Sequence, residues 1–86
     1  MAKNFYLDIL TPEKTVYSGE ISSLIVPAEL GYLGVLAGHA PLIAGLKPGK
    51  IIFAPLQGSR ATIQLRASGF LEVFKNRATV LLDREI

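Results

Sequence analysis

Apolar and polar residues alternate with a period of two along most of this 86-residue chain. Ala61, Ile63, Leu65 and Ala67 interleave with Thr62, Gln64, Arg66 and Ser68. In an extended backbone that spacing gives one dry face and one wet face. Ala78, Val80 and Leu82 repeat it against Arg77, Thr79 and Leu81, and Phe5, Leu7 and Ile9 repeat it against Tyr6, Asp8 and Leu10. Shorter apolar segments at 15–18, 21–26, 34–36, 42–46, 51–55 and 70–74 complete the set. No long window keeps a helical period, and the best helical candidate, Asp83-Arg84-Glu85-Ile86, is too short to stand alone.

Turn chemistry separates the segments. Thr11-Pro12-Glu13-Lys14 suits a type I turn with proline second, and Lys47-Pro48-Gly49-Lys50 predicts a type II turn with Gly49 at positive φ. Gln57-Gly58-Ser59-Arg60 is a further turn. Lys75-Asn76 joins two strands with almost no loop, and Asn76 tolerates the positive φ of a tight hairpin. Lys14, Lys47, Lys50, Arg60 and Lys75 sit at these turns, where their charges stay hydrated. About eight to ten short strands at this spacing predict an all-β fold, a small antiparallel β-sandwich or flattened barrel. The length allows one domain, spanning residues 1–86.

Composition narrows the function classes. A hydrophobic fraction of 50% suffices for a small core. Cysteine is absent, so no disulfide and no thiolate chemistry is available, which fits a reducing compartment. Nine basic and seven acidic residues are scattered singly, for a net charge of +2. No basic cluster follows a phosphate backbone, which argues against nucleic-acid binding. The N-terminus lacks the apolar stretch of a signal peptide. Residues 30–46 carry no Lys, Arg, Asp or Glu, but that run is shorter than the ~20 residues needed to span a bilayer, and Gly31, Gly34, Gly38, Pro41 and Gly45 break it as a helix. The expectation is a soluble chain, cytosolic in character, with no direct membrane insertion.

The same 30–46 run holds the only histidine and reads as an uncharged loop. Catalytic templates fit it poorly. Gly45-Leu46-Lys47-Pro48-Gly49-Lys50 is one residue short of a phosphate-binding loop, Ile51 stands where Ser or Thr holds magnesium, and Pro48 has no N–H to offer. Gly31, Gly34 and Gly38 do not match a dinucleotide fingerprint. His39 as a general base needs a nucleophile and an orienting carboxylate; Ser68 and Asp8 are conceivable members, but nothing marks them. The plainer reading is that His39 bonds its own loop or a partner. The carboxylates Asp8, Glu13, Glu20, Glu29, Glu72, Asp83 and Glu85 are dispersed, and none lies beside His39 in sequence to build a metal site. No catalytic residue, metal or cofactor is assigned. If Leu30, Tyr32, Leu33 and Leu36 are exposed together they form a partner surface. One reading is therefore a binding module of unrelated β-sandwich type, capturing a peptide or small ligand with the 30–46 loop in a pocket lined by Tyr32 and His39.

Ordered motifs favour a different partner class. Val26-Pro27-Ala28-Glu29-Leu30-Gly31-Tyr32-Leu33-Gly34-Val35-Leu36-Ala37-Gly38-His39-Ala40-Pro41-Leu42-Ile43 resembles the signature of the epsilon subunit of rotary F-type ATP synthases. Leu46-Lys47-Pro48-Gly49, Ser68-Gly69-Phe70-Leu71-Glu72-Val73 and Thr79-Val80-Leu81-Leu82-Asp83 are similar to later motifs of that family, in the same order. The resemblance implies an N-terminal β-sandwich at the foot of the central stalk. There a non-catalytic rotor subunit links the gamma subunit to the ring of c subunits and supports ATP synthesis coupled to proton transport. By the resemblance, His39, Ala40, Pro41, Leu42 and Ala44 face gamma, while Glu29, Leu30, Gly31 and Tyr32 face the c-ring. It also implies a peripheral membrane location, on the cytoplasmic face of a bacterial inner membrane rather than the stromal face of a thylakoid. The family's inhibitory C-terminal helices would begin where this sequence stops, at Ile86, so their properties are assigned to no residue here. The chain departs from the pattern in two respects. Leu30 and Tyr32 stand where many relatives have carboxylates, and Ala37 replaces a proline, which predicts a less salt-sensitive ring contact and a less pre-ordered turn.

Overall fold

The computed structural model describes residues 3–84. Its strands are β1 Phe5–Leu10, β2 Thr15–Ala28, β3 Gly31–Leu36, β4 Leu42–Leu46, β5 Gly49–Pro55, β6 Ala61–Leu65, β7 Gly69–Phe74 and β8 Arg77–Leu82. Segments 15–18 and 21–26 are one strand. Gly19 and Glu20 stay extended between them because β1 pairs straight through, with Leu7 opposite Gly19 and Tyr6 opposite Glu20. This 14-residue β2 serves both layers of the sandwich. Its first half pairs with β1, in the layer β2–β1–β8–β7–β4, and its second half lies between β3 and β5, in the layer β3–β2–β5–β6. A register shift between Ile21 and Ser23 accompanies the change of layer. Ala28 opposite Leu46 brings the end of β2 to β4.

The two-residue period sorts the side chains as the alternation predicts. Phe5, Leu7, Ile9, Leu71, Val73, Ala78, Val80 and Leu82 face inward from one layer, and Leu24, Val26, Val35, Ile51, Phe53 and Leu65 from the other. Each large aliphatic group buried this way contributes roughly 1.5–3 kcal/mol. No polar or charged side chain is buried among the described residues.

Four expectations are corrected or sharpened. The 30–46 run is mostly strand: β3 and β4 take up all but its first residue and the connection 37–41, because an uncharged, glycine-bearing sequence can pair as well as loop. Not every pairing is antiparallel. β1 and β8 run parallel, from Tyr6 opposite Arg77 to Leu10 opposite Leu81, which is possible because the whole intervening chain serves as their connection. Gly49 lacks the positive φ of a type II turn and instead opens β5. Glycine is required there by close approach, since a Cβ would stand 2.7 Å from Pro27 Cβ. At 11–14 the Lys14 N–H donates to Thr11 Oγ1 at 3.2 Å, so a hydroxyl does the work expected of a carbonyl. The hairpin at Lys75-Asn76 forms as expected, with positive φ at both residues, 48° and 60°. Strand β6 stops at Leu65, short of Ala67. Asp83 and Arg84 lie in a bend, and the rest of the C-terminal helix candidate falls outside the described residues.

Candidate functional site

The residues singled out by sequence lie at the two ends of β3 and β4, roughly 20 Å apart at about 3.3 Å per strand residue. One end is the β2–β3 hairpin. Ala28 pairs with Gly31, whose φ is +134°, so Glu29 and Leu30 form its tip. Leu30 is fully exposed. The Glu29 N–H donates to Gly45 O at 3.1 Å, and the Lys47 N–H donates to Pro27 O at 2.9 Å, which fastens the hairpin to β4. The Glu29 carboxylate folds back over Gly45: a Cβ on Gly45 would stand 2.9 Å from its Cδ. Beside it opens a shallow cavity of about 200 Å³ lined by Ala28, Glu29, Leu30, Ala44 and Gly45. The two predicted sets therefore meet here, through Ala44 on one side and Glu29-Leu30 on the other. Tyr32 turns along the sheet, and its hydroxyl accepts the Lys50 N–H at 3.1 Å.

The other end is the connection 37–41. The His39 N–H donates to Leu36 O at 3.2 Å, and Gly38 has φ +77°. This is a type II turn with Ala37 second and Gly38 third, where glycine alone adopts that φ without strain. The His39 ring donates from Nδ1 to Ala40 O at 2.7 Å. Asn76 holds the turn in place. Its Oδ1 accepts the Gly38 N–H at 2.8 Å, and its Nδ2 donates to Asn4 O at 2.9 Å. Sequence reasoning noticed Asn76 only for its φ. Its bond to Gly38, 38 residues away, leaves no sequence signal.

Leu42 and Ala44 are half-buried, opposite Val73 and Leu71, so β4 turns them toward the core. Ile43 points outward and is 74% exposed. It belongs to a face that sequence reasoning missed. Gly45, Phe70, Leu81 and Leu10 lie side by side across β4, β7, β8 and β1, in a row that starts at the rim of the cavity. Phe70, Phe74 and Leu81 are all exposed. The signal was present: Phe70-Leu71-Glu72-Val73-Phe74 and Leu81-Leu82 are apolar on both faces of their strands, beyond what one core needs. Next to that row lies a polar network, in which Asp8 takes Arg77 Nη1 at 2.6 Å and Ser18 Oγ at 2.7 Å. The Arg77 guanidinium stacks 4.5 Å from the Tyr6 ring centroid.

These contacts bear on the chemical alternatives. Asp8 is occupied by Arg77 and Ser18, and Ser68 donates to Asp83 at 3.1 Å, so neither serves His39. Among the described residues no cluster of three His, Cys, Asp or Glu could hold a metal ion. Tyr32 and His39 sit at opposite ends of β3 and do not line a common pocket. No helix of the described residues is long and apolar enough to cross a membrane.

Comparison with known proteins gives a consistent result. A family model described as the ATP synthase delta/epsilon chain β-sandwich domain matches residues 4–86. The ATP synthase epsilon chain of Chlorobaculum tepidum is 49% identical over 84 residues, covering 98% of this chain and 93% of its own. That of Chlorobium limicola is 42% identical over 81 residues, covering 94% and 91%. The epsilon chain of Dichelobacter nodosus is 36% identical over 83 residues, and this chain spans 57% of its length. A chain of the Euglena gracilis mitochondrial ATP synthase, solved as OSCP, F1 and c-ring, superposes with a TM-score of 0.88 at 17% identity, over 100% of this chain and 54% of that one. A chain of the Tetrahymena thermophila mitochondrial ATP synthase central stalk and c-ring gives 0.76 at 13% identity, over 91% and 62%. At such identities the superpositions show a shared fold.

Proposed function

We infer the function from kinship: the chain belongs to the ATP synthase delta/epsilon chain family, as its β-sandwich domain. It is an epsilon-type, central-stalk subunit of ATP synthase and part of that membrane-associated complex. The observation that carries this is the family match over residues 4–86. Our proposal goes further. Residues 1–86 act as one non-catalytic unit between the gamma subunit and the c-ring, on the cytoplasmic face of a bacterial inner membrane. A rotor joint must transmit torque without slipping, and a two-layer sandwich with an all-apolar core suits that better than loops would.

We assign His39, Ala40, Pro41, Leu42 and Ala44 to the gamma side, with Leu42 and Ala44 acting through their neighbour Ile43. Phe70, Phe74 and Leu81 extend that side across the outer face. The exposure of Ile43, Phe70, Phe74 and Leu81 on one continuous sheet face supports the assignment. Glu29, Leu30, Gly31 and Tyr32 are assigned to the c-ring, supported by the projecting hairpin tip with its fully exposed Leu30. With one carboxylate in that tip, the ring contact depends more on Leu30 and Tyr32 than on charge.

Co-purification with a gamma subunit and a c-ring is the test. The chain is expected to bind both, and failure to bind either refutes the joint. A Glu29→Lys exchange is expected to weaken ring binding roughly three- to tenfold and leave gamma binding unchanged. Equal weakening of both would refute the placement of the hairpin tip.

A further inference from the structure

The carboxylates are segregated to one layer of the sandwich. Asp8, Glu20 and Glu72 lie opposite Ser18, Tyr6 and Ile43, on the outer face of β2–β1–β8–β7–β4. Glu29 folds over Gly45 of that layer, Asp83 follows β8, and Glu13 sits in the turn before β2. Among the described residues the outer face of β3–β2–β5–β6 carries no carboxylate. Its charges are all positive: Lys50 on β5, with Arg60 and Arg66 at the two ends of β6. Lys50 lies opposite Gln64, and Gly49 lies opposite Leu65, so Arg66 comes beside the turn that holds Lys47. Lys47, Lys50 and Arg66 thus share one corner. All three are exposed, and among the described residues no carboxylate pairs with any of them. Like charges gathered this way repel one another unless an anion offsets them.

We propose that the corner formed by Lys47, Lys50 and Arg66 rests on the anionic headgroups of a lipid bilayer. The charge of the corner selects an anionic partner, and the chain is part of a membrane-associated complex. The position of the corner selects the bilayer. It lies at the same end of the sandwich as the β2–β3 hairpin tip, to which the Lys50 N–H is bonded through the Tyr32 hydroxyl. It also lies on the layer opposite the apolar face of Ile43, Phe70 and Leu81. With gamma on that apolar face and the c-ring beneath the tip, a placement that rests on the proposed function, the corner overhangs the rim of the ring, where headgroups begin. The contact is with the surface and involves no insertion. Each Lys or Arg near an anionic leaflet favours binding about fivefold, so three give on the order of 100-fold. That is too little to hold a free chain firmly, but it steadies a chain already seated on the ring.

Vesicles that hold neither gamma nor c-ring test the corner apart from the rotor assignment. In co-sedimentation at about 0.1 M salt, where charges are screened beyond ~10 Å, vesicles of phosphatidylglycerol and phosphatidylcholine in equal parts are expected to bind the chain roughly tenfold or more better than phosphatidylcholine alone. Lys50→Glu combined with Arg66→Glu is expected to lower that binding roughly tenfold or more while the thermal midpoint is kept. Arg60→Glu combined with Lys75→Glu makes the same change in net charge at the opposite end, roughly 20 Å away along β6, and is expected to lower it about threefold or less. Equal losses from the two double variants would overturn the proposal, because net charge alone would then explain the binding. So would equal binding to the two kinds of vesicle, or binding to polyglutamate without binding to vesicles, which would assign the corner to an acidic protein. A chain that co-purifies with gamma and the c-ring but ignores anionic vesicles overturns this proposal alone. One that binds the vesicles through Lys50 and Arg66 but fails to co-purify supports the corner and refutes the rotor joint.

Discussion

Replacing Asn76 tests how the His39 turn is held. In the native chain Asn76 does three things: it occupies φ 60°, accepts from Gly38 N–H at 2.8 Å, and donates to Asn4 O at 2.9 Å. Asn76→Ala removes both hydrogen bonds, at ~1 kcal/mol each, and places a Cβ-bearing residue without a compensating side chain in the left-handed region, at ~1 kcal/mol more. The expected loss is about 3 kcal/mol, or roughly 12–24 °C in Tm for a domain of this size. Asn76→Asp keeps the tolerance for positive φ and the acceptor for Gly38, and gives up only the donor to Asn4. Its expected loss is about 1 kcal/mol, roughly 4–8 °C. Urea and thermal unfolding followed by circular dichroism measure both. Amide hydrogen exchange at Gly38 separates the terms, since protection should persist in Asn76→Asp and vanish in Asn76→Ala. An Asn76→Ala chain within ~0.5 kcal/mol of wild type, or unchanged protection at Gly38, would refute the claim that this side chain anchors the turn.

Other substitutions probe separate parts of the argument. Ala37 is the second residue of the type II turn, and it follows the strand residue Leu36, so Ala37→Pro is expected to stabilise by about 0.4–1 kcal/mol, seen as a Tm raised by roughly 2–8 °C; a lower Tm would show that the turn cannot take proline. Gly69→Ala brings a Cβ to 2.6 Å from the Leu81 carbonyl oxygen and is expected to cost about 1–3 kcal/mol in urea unfolding. Gly45→Ala meets only the mobile end of Glu29 and is expected to cost less than about 1 kcal/mol; an equal cost for the two would contradict the close approaches described. Phe70→Ser and Phe74→Ser are each expected to leave stability within about 1 kcal/mol while lowering gamma affinity tenfold or more in titration calorimetry, and unchanged affinity would remove the outer face from the joint.

Much of the fold was legible because burial in a sandwich follows strand parity. Leu7, Ile9, Val80 and Leu82 were readable as core from alternation alone, whereas Leu71 and Val73 were not, because Phe70 and Phe74 are apolar on the opposite face. The tight hairpin at Lys75-Asn76 was readable from turn chemistry. Gly45 and Gly49 were misleading, because glycine serves tight turns and close approaches alike. Both sit in strands, under Glu29 and against Pro27, and only the folded chain shows which need applies. The candidate site was legible in part. The motif around His39 singled out two segments, and the fold places them at opposite ends of β3 and β4. Leu42 and Ala44 proved to be inward neighbours of the exposed Ile43.

By itself the sequence determined that the chain is made of strands and which side chains share a face of each strand. Those properties are local, set by the two-residue repeat of an extended backbone and by residue type. The tertiary structure decided which strands became neighbours: the parallel meeting of β1 and β8, the sharing of β2 between layers, Asn76 beneath Gly38, and Glu29 across Gly45. It also decided that Phe70 and Leu81 share an open face and that β3 has a free edge. Strand pairing depends on how many faces can be buried at once, a property of the whole chain that no local pattern contains.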